Sequence, residues 1–258
     1  MHLGQAIFLF TAALVGGAIN SVAGGGSFVS FPSLLFVGIP PVNANATNTV
    51  ALWPGQPASV WAYRNELQHL SRRSVLALTI TAVIGGLLGA YVLLITPQAT
   101  FKQLVPWLLL IATIIFMMSG RITRWVRQRG QHSGQHQFAT GRGVFLLTFI
   151  AFYLGYFGAG AGILILAMLA LLGMDQIHTM NALKAWITTV SNGVAALYFM
   201  GKHAVHWPEA VVMIAGAMLG GYFGAYFAQK TKPEHVRAIV IVIGFTLSAY
   251  FFAKQFWS

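Results

Sequence analysis

The sequence predicts an all-α, polytopic membrane protein of two inverted structural repeats, with broken or short helices where the repeats meet and about eight to ten membrane segments. Three observations predict it. The 258-residue chain is 57% hydrophobic and 7% charged, with a mean hydropathy of +0.72, whereas a soluble domain of this size carries about 25% charged residues. Several apolar runs reach the ~20 residues that a helix needs to cross a bilayer. These runs also fall into two series of the same order and similar lengths, which points to an internal duplication.

The first series comprises Gln5–Val22, a short Phe28–Val37, Asn45–Tyr63, Ser74–Thr96 and Phe101–Ser119. The second comprises Gly143–Phe157, a short Ile163–Leu172, Asn181–Met200, Pro208–Gln229 and Arg237–Ala253. The organisation expected is a first transmembrane repeat over 1–119, a basic cytoplasmic linker over 120–142 and a second repeat over 143–258. The N-terminal run has neither a basic leader nor an A-x-A-like cleavage site, so it reads as a retained membrane segment.

A constant offset pairs Gly25 with Gly160, Leu34 with Leu169 and Gly38 with Gly173. One extra residue then pairs Asn45 with Asn181, Asn48 with Lys184 and Gln56 with Asn192, and the first offset returns for "GGLLGAY" at Gly85–Tyr91 against "GGYFGAY" at Gly220–Tyr226. Charge gives the expected orientation. The net charge of +11 gathers partly at Arg121, Arg124, Arg127, Arg129 and Arg142, as on the cytoplasmic side of a membrane protein; a soluble nucleic-acid-binding surface would need a basic stripe that is missing here. Counting spans outward puts Arg64, Arg72, Arg73, Lys230, Lys232 and Arg237 on the same side, provided each half crosses an odd number of times. The halves are then inverted, a common plan among secondary transporters.

Both short segments follow glycine-rich breaks. "AGGGS" at Ala23–Ser27 contains Gly24, Gly25, Gly26 and Ser27, and "GAGAG" contains Gly158, Gly160 and Gly162. In lipid, each backbone group freed by a break must find a partner or face a wet cavity. A new helix N-terminus there favours an anion. Close helix packing is the other reading of these glycines, and it is the preferred one for Gly85, Gly89, Gly220 and Gly224, which sit in the middle of long spans.

The second set of candidates is polar. Asn45, Asn48 and Gln56, with Thr47 between, recur as Asn181, Lys184 and Asn192 at the same spacings of three and eight. One helix face could present these amides to a cavity, although Asn45 and Asn181 could equally cap helices. An intramembrane lysine is costly and marks a pathway or a paired charge; Lys184 therefore reads as a substrate contact, with a structural pair or interfacial snorkelling as alternatives. The four acids, Glu66, Asp175, Glu209 and Glu234, all lie outside the apolar interiors, which argues for an anion rather than a cation as cargo.

The chain has no cysteine, which removes thiolate chemistry and Cys-based zinc sites. His203 and His206 are three apart beside Trp207, but a headgroup interface explains them better than metal. Ser27 follows glycine, yet "GGGSF" is not G-x-S-x-G, and no apolar span holds a histidine to activate it. No catalytic residue, metal or cofactor is expected.

"AGGGSFVSFPSLLFVGIPP", then "NANATN", then "FGAGAG" with "NALKAWITTVSN" resemble the sulfite exporter TauE/SafE family over nearly the whole chain. The resemblance implies a helical protein of two related halves in the bacterial cytoplasmic membrane that moves small anions such as sulfite and organosulfonates. It carries over to Gly24, Gly25, Gly26, Pro32, Ala46, Thr47 and Asn48, and to Gly158, Gly160, Gly162, Lys184 and Asn192. The second copy departs at Ala167 and Leu183, where the first has Pro32 and Thr47. The expected function is thus secondary transport, as an exporter, of a small anion. An anion channel and a non-transporting assembly subunit are the alternatives. The expected partners are the anion and the lipid bilayer, not nucleic acid, and a homo-oligomer is left open.

Overall fold

A computed structural model of the protein describes residues 1–23, 25–68, 70–129, 141–172, 174, 176–228 and 233–256. Among the described residues the secondary structure is entirely helical: α1 (Leu3–Ala23), α2 (Ser27–Phe36), α3 (Pro41–Leu52), α4 (Gln56–Ala62), α5 (Arg64–Gln68), α6 (Arg72–Ile95), α7 (Gln98–Arg129), α8 (Gly141–Tyr156), α9 (Ala161–Leu171), α10 (Ile177–Gly201), α11 (Trp207–Ala228) and α12 (Pro233–Phe256). A 3-10 turn, Trp53–Gly55, separates α3 from α4.

Two segments differ from the expected boundaries. The run Asn45–Tyr63 is divided, because Pro54 lacks the N–H that an unbroken helix needs and Gly55 is a poor helix former. Its counterpart α10 has Val190 and Ser191 there and is continuous. The basic interval also begins helically: α7 runs past Gly120 to Arg129, and the remainder, 130–140, lies outside the described residues.

Among the described residues, four helices are long and apolar enough to cross a membrane, at Leu3–Ser21, Arg72–Ile95, Gln98–Met118 and Ala238–Gln255, and Ser27–Phe36, Gly143–Tyr156 and Ala161–Leu171 are shorter apolar helices. Large apolar side chains point outward, among them Phe145 (72% exposed) and Tyr222 (73% exposed). That is a surface suited to lipid rather than water.

Glycines set the closest packing. A Cβ on Gly220 would overlap the Leu14 carbonyl oxygen, and one on Gly224 would overlap Ala18, so α1 and α11 run parallel in near backbone contact. The same holds for α6 and α8, where Gly89 meets the Phe152 carbonyl and Gly155 meets that of Gly86. α7 and α12 run antiparallel, with Trp107 against Phe252 and Thr113 against Gly244.

α10 runs antiparallel to the α3–α5 segment. Going down α3–α5, Asn43 bonds Ala204, Trp53 bonds Thr189, Asn192 bonds Gln56, and Thr179 bonds Glu66. This register defines two ends of the molecule. One carries Asn43, Ala204 and the α6–α7 turn at Gln98; the other carries Glu66, Thr179 and the arginines Arg64, Arg72 and Arg73 at the starts of α5 and α6.

Candidate functional site

Between these ends, on the Glu66 side, lies a cavity of about 270 Å³. Of the residues expected from the sequence, Gly25, Ser27, Asn48, Gln56, Gly158, Gly162, Asn181, Lys184 and Asn192 line it. They come from both halves of the chain and from both glycine breaks. The polar wall is completed by Asn20, Ser21, Thr49, Ser59, Tyr63, Thr188 and Thr189, and the apolar wall is supplied largely by Leu154, Phe157, Ile163 and Leu166 on α8 and α9 and at their junction.

Lys184 is the one charged side chain on this wall, and among the described residues no carboxylate joins it there. Its ammonium donates to Asn181 Oδ1 at 3.0 Å, one turn earlier on α10, which leaves further N–H donors for a ligand. The lysine stem passes beside Gly162, where a Cβ would lie 3.4 Å from Lys184 Cδ. The first half repeats this contact with different chemistry. Asn48, the counterpart of Lys184, donates to the hydroxyl of Ser27 at 3.3 Å, and Ser27 is the counterpart of Gly162. Asn48 Oδ1 accepts from Ser30.

Both short helices begin at the cavity. α1 ends at Ala23 and α2 begins at Ser27; α8 ends at Tyr156 and α9 begins at Ala161. Each N-terminus carries about half a positive charge from its aligned peptide dipoles, in addition to the lysine. The two breaks are not conformational copies. Gly158 and Gly160 have φ of +77° and +74°, a region open to glycine at little cost, whereas Gly26 is right-handed helical at φ −57°. Gly24 lies outside the described residues.

Four expected residues are absent from the wall. Gly26 packs its backbone against Gly16, and Gly160 approaches the Ala112 carbonyl oxygen. Asn45 turns away and donates to the Tyr156 carbonyl at 2.9 Å, while Thr47 accepts from the backbone N–H of His206 at 3.0 Å. Sequence reasoning missed Asn20, Ser21, Thr49, Ser59, Tyr63, Thr188 and Thr189. Asn20 and Ser21 immediately precede the first glycine run, and Thr188 sits one helical turn beyond Lys184; those neighbourhoods were the available signal.

The sequence pattern of the family described as sulfite exporter TauE/SafE matches residues 9–251. The chain belongs to the TauE/SafE family. Proteins similar to it include the probable membrane transporter protein ORF9 of a Sinorhizobium species, 30% identical over 81% of this chain and 77% of that protein. Another is a probable membrane transporter protein of Haemophilus influenzae, 29% identical over 81% and 79%. A third is the probable membrane transporter protein YfcA of Escherichia coli K12, 28% identical over 81% and 75%. No solved structure matches the chain. As a TauE/SafE protein with four helices among its described residues able to span a bilayer, this chain is a multi-pass membrane transporter.

Proposed function

We propose that this TauE/SafE protein exports a small anion, such as sulfite or an organosulfonate, across the bacterial cytoplasmic membrane as a secondary transporter. The observation that carries the reading is the cavity wall: one ammonium, neutral amides and hydroxyls, and no carboxylate among the described residues. A volume of about 270 Å³ is near the low end of ligand sites, which run from ~300 Å³ upward. It suits a small solute.

Architecture supports the same reading. Secondary transporters with inverted repeats hold anions where half-helix N-termini converge between the halves. The antiparallel register of α10 against α3–α5, and of α7 against α12, supports inverted halves here. Direction follows from charge: an inside-negative potential of 100 mV favours outward movement of a monoanion by ~2.3 kcal/mol, so export needs no coupled ion.

The test is anion flux in liposomes containing the purified protein, with Lys184→Met and Lys184→Arg. Flux lost in the Met variant and largely kept in the Arg variant supports the assignment. Full flux in the Met variant at normal yield overturns it. Saturable counterflow separates a transporter from a channel.

A further inference from the structure

Asn43, Asn45, Thr47 and Gln98 are polar groups that do not line the cavity, yet each is hydrogen-bonded on the side of the molecule opposite Glu66. Gln98, on the first turn of α7, accepts from the backbone N–H of Val42 at 2.9 Å and donates to Asn43 Oδ1 at 2.8 Å. Asn43 in turn donates to the Ala204 carbonyl at 3.0 Å. Below this, the His206 N–H donates to Thr47 and Asn45 donates to the Tyr156 carbonyl. Three of these bonds tie the start of α3 to the other half of the chain. All five are neutral.

The other end is tied differently. Thr179, the counterpart of Asn43, reaches across to Glu66 Oε2 at 3.2 Å, and the cavity lies on that side, with Ser59 and Tyr63 in its wall. The cavity thus extends toward the Glu66 end, and the hydrogen-bonded residues lie beyond its opposite wall, between it and the other end. Neutral bonds of this kind exchange readily for bonds to water, each contributing little net free energy. A seal that must open and close in every cycle requires that property.

We infer that Asn43, Thr47 and Gln98 are the closed gate of an alternating-access cycle, and that this conformation faces the Glu66 end. The inference rests on the transport reading above, and its test does not require the substrate to be known. The chain has no cysteine, so Ser27→Cys places a single thiol on the cavity wall of the full-length protein. In membrane vesicles of known orientation, a membrane-impermeant maleimide should label this thiol from the Glu66 face and only slowly from the other.

Gln98→Ala removes two gate bonds at an exposed position, and Asn43→Ala removes two at the next link. Each should raise labelling from the opposite face about tenfold, the population shift that two ordinary hydrogen bonds hold back. Unchanged labelling from the Glu66 face reports that the variants are folded. Equal labelling from both faces before the gate is altered, or no change in either variant, overturns the gate. Flux is measured separately on protein that keeps Ser27. No flux of any anion tested, with the labelling shift present in the Ser27→Cys background, defeats the transport reading and leaves only a hydrogen-bonded closure of the cavity. Flux without the labelling shift defeats the gate alone.

Discussion

Asn192 donates its side-chain amide to Gln56 Oε1 at 3.2 Å, and these two residues hold the same position in the two halves of the chain. Three residues earlier, Trp53 Nε1 donates to the carbonyl of Thr189 at 3.1 Å, again its own counterpart. A residue can meet its counterpart only where the axis relating two repeats passes. On the inverted arrangement expected from the sequence, the two contacts would put that axis beside the cavity, where a single ligand can touch both halves.

This contact predicts measurable coupling. Gln56→Ala and Asn192→Ala should each lower thermal stability modestly, and the double variant should fall short of the sum by about 0.5–1.5 kcal/mol, the range of one hydrogen bond. A double-mutant cycle on the detergent-solubilised protein measures it.

The packing glycines make a sharper contrast. A Cβ on Gly89 or Gly220 meets a backbone carbonyl of the neighbouring helix, whereas one on Gly221 meets nothing within 4 Å. Gly89→Ala and Gly220→Ala should therefore destabilise by at least the ~1–3 kcal/mol of an overpacked core. Gly221→Ala should be neutral or stabilising by up to ~1 kcal/mol, because alanine is the better helix former. Unfolding midpoints of the three variants side by side decide the matter.

At the second break the constraint is conformational. Gly158 and Gly160 both have positive φ, a region that costs an L-residue about 1–2 kcal/mol. Gly158→Ala and Gly160→Ala should each lose roughly that much, and Gly160→Asn should lose less, since asparagine tolerates the left-handed region. Similar losses for alanine and asparagine in thermal unfolding would argue against backbone strain as the cause.

Much of the cavity wall was legible because a polar residue inside an apolar run is itself a signal. Asn48, Gln56, Lys184 and Asn192 stand out this way, and their matched spacing in two copies ties them together. Asn45 and Thr47 carry the same signal but face elsewhere. A spacing of three residues turns a helix by about 60° from alignment, enough to aim Asn48 at the cavity and Asn45 at the end of α8. Gln56 reaches the wall on a different helix, after the turn that Pro54 and Gly55 impose. Asn20 and Tyr63 enter through the path of the chain at helix ends, which periodicity does not encode. That the chain is an all-helical membrane protein was readable from hydropathy, whereas parallel pairing of α1 with α11 and of α6 with α8 depends on which glycine faces meet.

Lys184 also predicts a ligand-binding phenotype that is separate from flux. A ligand held at 100 times its Kd raises the stability of a folded protein by about 2.7 kcal/mol. Among sulfur oxyanions, sulfonates and carboxylates, the one that stabilises the purified protein should lose this effect in Lys184→Met, while the unliganded variant unfolds much as the parent does. Stabilisation that survives the substitution would move the anion site away from α10.

The inverted arrangement can be tested without any ligand. Lys202, just after α10, and Gln68, at the end of α5, occupy nearly corresponding positions in the two halves, and both are exposed. The antiparallel register of α10 against α3–α5 puts them at opposite ends of the molecule. Arg64, Arg72 and Arg73 share the Gln68 end, and clustered arginines favour the cytoplasmic side. In the naturally cysteine-free chain, Gln68→Cys should react with an impermeant thiol reagent only from the cytoplasmic face, and Lys202→Cys only from the outer face. Labelling of both from one face would mean that the halves are not inverted, and the convergence of α2 and α9 on the cavity would then need an explanation other than symmetry.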